Sequence, residues 1–469
     1  MKKSHRTLLF WILAALFCIG TPIVVLMSQG YAFDWKHYQW VQTGAIFLKS
    51  RPSATVIRIG NIVQRVKPAA EILYTGTLFQ SLIPTPYFVE VAAPNTTTFL
   101  WQKTLPVQPL TVTKATRIAI PYSQPRTDAV QLSTTTINFV QPRDAQSFAW
   151  SSDLKTLFIY DQTNATSQRA IDLSEMASSS ISDKIRSALF SKDKDTLLVR
   201  TNETVLIKTK TEIINGKSYF ADFLRQTGLM LSSIRFRWHA NQNNILILMT
   251  SQGGYAFDFQ TQRYTHFTEK PIIEISETKT GNYFLDENGI IYSFDPSKQL
   301  SEKRIAILPI AHPGQYAWSL YELDNNRLVA FAKNGPLSVL DTINGSSLRI
   351  TNSALDVAIT ANETKMAYAT GNNLYVYFLE QMYDDVKYEQ GQSFYIAPLT
   401  QQAYKIFFAN DDWSVIALFA KTIVLAEIDS RQPANHWTIP TDISFPLTCG
   451  NSSCSWVQTG RLVRAALFP

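Results

Sequence analysis

The sequence is short of charge. Only 17% of its 469 residues are Asp, Glu, Lys or Arg, against about 25% in ordinary soluble domains. Its polar surface therefore falls to Ser, Thr, Asn and Gln. The formal net charge is +6, but Lys2, Lys3 and Arg6 supply half of it before the first apolar run. The other basic residues are scattered, so the block that nucleic-acid binding uses is missing, and no nucleic-acid partner is expected. Cysteine is scarce as well: Cys18, Cys449 and Cys454 are too few for a disulfide scaffold. The six histidines include no His-x-x-x-His and no Cys/His cluster, so no metal site is expected. There is neither a Gly-x-Ser-x-Gly elbow nor a phosphate-binding Gly-x-x-x-x-Gly-Lys loop. No cofactor and no catalytic residue can be named, which lowers the expectation of an enzyme without removing it.

Apolar and aromatic residues are abundant. The hydrophobic fraction is 45%, with 27 Phe, 20 Tyr and 10 Trp. Together with many Thr, Val and Ile this favours strands, and an all-β fold is expected. The one long apolar run is Leu8 to Met27. As a helix it spans about 30 Å, the thickness of a bilayer core. Lys2, Lys3 and Arg6 precede it, which places the N-terminus in the cytoplasm and the bulk outside. A cleaved signal peptide is the competing reading; its apolar core is usually about 7–15 residues. The expectation is a cytoplasmic basic tail (1–7), a single transmembrane helix (8–27) and a juxtamembrane linker (28–42). Trp35, Tyr38 and Trp40 in that linker form an interfacial aromatic cluster.

Residues 43–107 read as a small β domain, with short strands at Ala45–Leu48, Thr55–Ile59, Tyr87–Val91 and Thr98–Leu105. Ser50, Pro52 and Ala54 stand before the second strand, Tyr87, Val89 and Val91 alternate, and Trp101-x-Lys103 ends the segment. On these residues the segment resembles the PEGA domain, a β-sandwich-like module of bacterial surface proteins. The glutamate and glycine of that family's name motif are absent, and Thr85-Pro86 stands where its glycine precedes the tyrosine. The resemblance implies an interaction or spacer module.

After a linker (108–129), a phrase repeats over 130–469: an apolar or aromatic pair, a polar stretch with Asp or Asn, then a hydrophobic run. It starts at residues 147, 187, 235, 272, 315, 356, 405 and 444. A period of about 40–45 residues with several strands in each unit signals a β-propeller. Eight phrases predict eight blades, with seven as the alternative. The array resembles the WD-repeat-like and TolB-like propellers of bacteria. The combination of anchor, PEGA-like module and propeller looks like uncharacterised bacterial envelope proteins.

Trp150, Trp238, Trp318 and Trp413 recur in the phrase. The first three are expected to pack between blades, whereas Trp413 sits closer to a polar turn. Asp153, Asp193, Asn243 and Asn325 fit turns. The longest non-repeating insertion, 379–397, mixes aromatic and acidic residues, as partner loops do. Tyr383, Asp384, Asp385 and Tyr388, with Trp413, are therefore the candidate binding residues. Cys449 and Cys454 are the candidate disulfide at a hairpin tip. The expected function is a membrane-anchored, extracytoplasmic interaction scaffold whose propeller binds an envelope protein or glycan. The alternative is a glycan- or peptide-acting hydrolase or lyase with its site in the propeller funnel.

Overall fold

The computed structural model describes residues 3–51, 56–65, 76–92, 99–121, 137–143, 146–151, 156–161, 168–172, 187–191, 196–200, 205–209, 212–239, 242, 244–276, 282–310, 312–399, 405–409, 412–441, 445–450, 453–458 and 461–467. The chain opens with the helix Lys3–Ser28. Its stretch Leu9–Ser28 is, among the described residues, the one helix long and apolar enough to cross a membrane. Phe10, Trp11, Leu13, Leu16 and Phe17 all stand exposed. A helix apolar all round needs an apolar surround, and none of the Leu9–Ser28 stretch is buried among the described residues.

The stretch read as a juxtamembrane linker is a hairpin, in which Tyr31–Asp34 pairs with Gln39–Gln42. Its turn is set by Asp34, which accepts a hydrogen bond from the Lys36 amide (2.9 Å) and lies 2.6 Å from His37 Nδ1. An aspartate bonding two residues on is a turn-forming device in its own right.

A seven-stranded sandwich follows. One sheet orders Thr77–Leu82, Gly44–Arg51 and Val112–Ala119; the other orders Ile62–Arg65, Val56–Ile59, Pro86–Ala92 and Phe99–Pro106. Ile46, Leu48, Ile57, Val89, Val91 and Trp101 form its core. The strand Val112–Ala119 falls in the segment assigned above to a linker, so the small domain extends beyond residue 107. It pairs in parallel with Gly44–Arg51. Its sequence, VTKATRIA, buries only every third or fourth residue, so the period-2 pattern that marks a strand is weak. Pro52 and Ala54 of the PEGA-like pattern lie outside the described residues.

From Ile137 the chain forms antiparallel meanders. Four-stranded sheets run from Ile137–Arg143 to Gln168–Asp172, from Ser187–Phe190 to Ile213–Asn215, from Arg235–Trp238 to Arg263–Thr268, and from Ile272–Ile275 to Lys303–Ile307. A seven-stranded sheet spans Trp318–Leu323 to Ser393–Pro398, because the 13-residue strand Ser347–Ile359 ends one meander and begins the next. The last two are a four-stranded sheet, Lys405–Phe408 to His436–Pro440, and a three-stranded one, Phe445–Gly450 to Arg461–Ala466. First strands meet first strands. Ser187–Phe190 touches Arg235–Trp238, Ile272–Ile275 touches Trp318–Leu323, and Phe445–Gly450 touches both Lys405–Phe408 and Ile137–Arg143. That last contact returns the array to its start, and a ring of meanders closed in this way is a β-propeller.

A sheet covered on both faces has continuously apolar inner strands. Ser414–Leu418, SVIAL, is buried throughout. Trp238 and Trp318 lie in the seams between sheets, as the packing reading expects. Trp238 Nε1 donates to the Leu189 carbonyl of the preceding sheet at 3.1 Å, and Trp318 packs with Leu285 and Ile291. Trp150 lies on the strand Gln146–Ser151, but its side chain, like all of Asp153, Asp193 and Asn243, lies outside the described residues. Asn325 sits in a hairpin turn beside Asn326, whose φ is 54°. At the Gly253 turn φ is 122°, and a Cβ there would lie 2.0 Å from the Thr268 carbonyl oxygen, so the turn requires glycine. Cys449 and Cys454 face each other across the hairpin of Phe445–Gly450 and Ser453–Gln458 and are joined as a disulfide.

Candidate functional site

A β-sandwich has an open flank where the edge strands of its two sheets face each other. In this sandwich those edges are Phe99–Pro106 and Val112–Ala119. The propeller closes that flank. The Gln102 amide donates to Asn435 Oδ1 (3.1 Å) and the Thr104 amide to the Gln432 carbonyl (2.8 Å), so residues 432–435 cover the exposed ladder. Trp437 Nε1 donates to the Leu100 carbonyl at 3.0 Å.

The alternation of the edge strand sends Trp101, Lys103 and Leu105 inward, and all three are fully buried. Lysine at such a position must meet oxygen atoms. Lys103 Nζ has three: the carbonyls of Arg431 (2.8 Å) and Asp429 (3.4 Å) and, at 3.4 Å, Glu427 Oε2. Glu427 Oε1 accepts from Trp101 Nε1 and Oε2 accepts from Asn435 Nδ2, each at 2.9 Å. Burial pushes the Glu427 carboxyl above the usual range, against the pull of the Lys103 ammonium. Asp429 holds Arg431 through both carboxylate oxygens, and Arg431 Nη1 donates to the Lys114 carbonyl at 2.7 Å.

The second half of the seam is the predicted insertion. Met382–Tyr383 and Lys387–Tyr388 pair as a small hairpin with Asp384 and Asp385 at its tip. The tip takes hold of consecutive residues of the Val112–Ala119 strand. Asp385 accepts from the Thr116 amide (2.6 Å) and hydroxyl (3.0 Å), and Asp384 pairs with Arg117 Nε (2.6 Å). The Arg117 guanidinium lies 4.4 Å from the centre of the Trp413 ring, and Lys365 Nζ lies 4.0 Å from it. Tyr388 stacks on Phe378 at 4.3 Å, and burial pushes its phenol well above the ordinary value.

Four of the five candidate binding residues, Asp384, Asp385, Tyr388 and Trp413, thus converge on one cleft, which Arg117, Glu427, Asp429 and Arg431 also line. Tyr383 stays outside, 73% exposed. The cleft has about 20 Å³ of space, room for a water. In this arrangement Asp384, Asp385 and Trp413 contact the chain's own sandwich. In "EIDSR" charge falls at every second residue, and Glu427, Asp429 and Arg431 all line the cleft. That period-2 signal sends all three to one side. Among the described residues no group of three His, Cys, Asp or Glu side chains is placed to hold a metal ion.

The Asp pair makes a graded prediction. Asp385→Ala removes bonds to a backbone amide and a hydroxyl and is expected to cost about 1.5–3 kcal/mol. Asp384→Ala removes a partly solvated ion pair and should cost about 0–1 kcal/mol. Denaturant unfolding of the full chain in detergent measures both, and the reverse order would contradict the seam described here.

No family model and no curated protein matches the chain. Among solved structures it is similar to the WD40 domain of SCAP from fission yeast, at 10% identity and TM-score 0.44 over 71% of this chain and 96% of that one. It is also similar to BamB from Moraxella catarrhalis, at 10% identity and TM-score 0.43 over 70% and 96%. A third is Sqt1 from Saccharomyces cerevisiae, at 9% identity and TM-score 0.42 over 75% and 99%. The propeller assignment rests on the closed topology described above.

Proposed function

We propose that the chain is a membrane-anchored, extracytoplasmic interaction scaffold, in which a PEGA-like sandwich holds an eight-bladed propeller at a fixed attitude to the bilayer. The observation that carries this reading is the seam. Both edge strands of the sandwich are hydrogen-bonded to the propeller, and the buried Lys103–Glu427 pair lies between them. Bonding of both edge strands to the propeller suits a rigid arm better than a flexible spacer. The eight-blade count takes the seven-stranded sheet as two blades and the three-stranded sheet as the last. The exposed helix and the basic residues ahead of its apolar stretch support an anchor with the propeller outside. A rigid ring held off a membrane suits a protein or envelope-glycan partner.

The topology is tested with Ile343→Cys, a position 79% exposed on the propeller, in a Cys18→Ser background. A membrane-impermeant maleimide should label it in intact cells, and labelling only after lysis would place the propeller in the cytoplasm. Partner capture with the full chain, from envelope proteins and from glycan arrays, tests the scaffold itself. A clean preparation that retains nothing from either pool counts against it.

A further inference from the structure

We infer that the base of the sandwich is itself a lipid-contacting platform, with Leu110 and the hairpin aromatics seated in the headgroup–acyl boundary of the bilayer that holds the helix. This rests on the anchor reading above. Four large side chains stand out near the helix exit: Trp35, Tyr38, Leu110 and Val112 are 77%, 78%, 67% and 48% exposed. The hairpin follows the helix directly, and hydrogen bonds tie its base and the Leu110 turn to the helix end. Gly30, two residues past the helix, accepts at its carbonyl from both the amide and the hydroxyl of Thr43 (each 2.7 Å). The Thr43 carbonyl in turn accepts from the Leu110 amide at 2.9 Å. A Cβ built on Gly30 would lie 3.9 Å from Leu110 Cδ2. Leu110 therefore sits beside a residue at most ~7 Å of chain from the helix, within the interfacial layer of about 5–8 Å on each side of the hydrocarbon.

The backbone supports the same assignment. Leu110 and Tyr38 hold φ at 56° and 52°, a region where glycine or asparagine is cheaper and a bulky residue is an outlier. A strained leucine turned toward water gains nothing there, whereas beside a membrane helix it gains apolar burial. Phe33 packs edge-on against Trp35 (4.8 Å) and Trp40 (5.5 Å), making one aromatic unit, and amphipathic rings favour this layer. The charges are compatible with anionic headgroups. Asp34 is buried against His37, which leaves Lys36 as the exposed charge of the turn.

The test uses the full chain in a Cys18→Ser background, reconstituted into phosphatidylcholine vesicles containing phosphatidylglycerol. Leu110→Cys, Tyr38→Cys and, as control, Ile343→Cys each carry an environment-sensitive dye. Spin-labelled lipids with the label near the headgroup should quench the dye at positions 110 and 38 several-fold more than at 343. Equal quenching at all three positions, with the protein still resisting carbonate extraction, overturns the platform and leaves the anchor standing. Extraction by carbonate overturns both. Tyr38 lies in an exposed turn, so its variant reports even if Leu110→Cys perturbs the fold.

Discussion

Replacing Lys103 by Met should destabilise the full chain by about 3–5 kcal/mol at neutral pH, the range for removing one partner of a buried ion pair. Methionine keeps the length and packing of the lysine stem, so the loss reports the ammonium. Without it, Glu427 retains Trp101 Nε1 and Asn435 Nδ2 as donors but has lost the Lys103 counter-charge. The pH dependence follows from the direction of the Glu427 shift. Its folded-state pKa already lies above the unfolded value, so the folded protein binds that proton more readily. The stability this confers is full below the unfolded value and is lost as pH rises through the folded one. Removing Lys103 raises the folded value further. The deficit of Lys103→Met against wild type should therefore be largest at neutral pH and shrink on acidification, as Glu427 takes up its proton. Thermal unfolding across a pH series measures this, and a deficit that stays constant or grows toward acid would mean that Lys103 does not serve Glu427.

Trp413→Ala is the second large effect, expected at about 3–5 kcal/mol. The indole is 5% exposed and packs near Tyr388, and the cations of Arg117 and Lys365 lie over its ring, each contact contributing about 0.5–2 kcal/mol. Truncation thus leaves a cavity and weakens the grip of the Val112–Ala119 strand in one step. Tyr383→Ala, a few residues from the same cleft but exposed, should change stability by no more than about 0.5 kcal/mol. Equal costs at the two positions, read from denaturant midpoints, would contradict the division between seam and surface.

The contrast between these residues shows how much could be read in advance. The helix and the repeating meanders were legible because each rests on local pattern: an uncharged run of bilayer length, and a hydrophobic period of about 40–45 residues. The insertion at 379–397 stands out in the sequence by its aromatic and acidic composition. Its partner does not, because Asp385 meets Thr116 across 269 residues of chain, and no local period encodes that pairing. Val112–Ala119 escaped for a related reason. Its neighbour Gly44–Arg51 is distant, and its Thr and Lys residues blur the alternation. Lys103 was read as one residue of a domain-ending pattern, whereas the fold uses it as the inward cation between two domains. The hairpin after the helix depends on Asp34 acting as a turn former, a side-chain event that hydropathy does not register.

Hydrogen exchange of three amides, Gln102, Thr104 and Thr116, tests the central claim that sandwich and propeller are joined by one cooperative seam. Each bonds across the seam, to Asn435, Gln432 and Asp385 respectively. In Lys103→Met all three should exchange faster together, by about two to three orders of magnitude. Amides between Arg327–Ala332 and Gly335–Asp341 should accelerate less, because they can open separately from the seam. If Gln102 and Thr104 accelerate while Thr116 keeps its protection, the two halves of the seam are independent and the rigid-arm account is wrong.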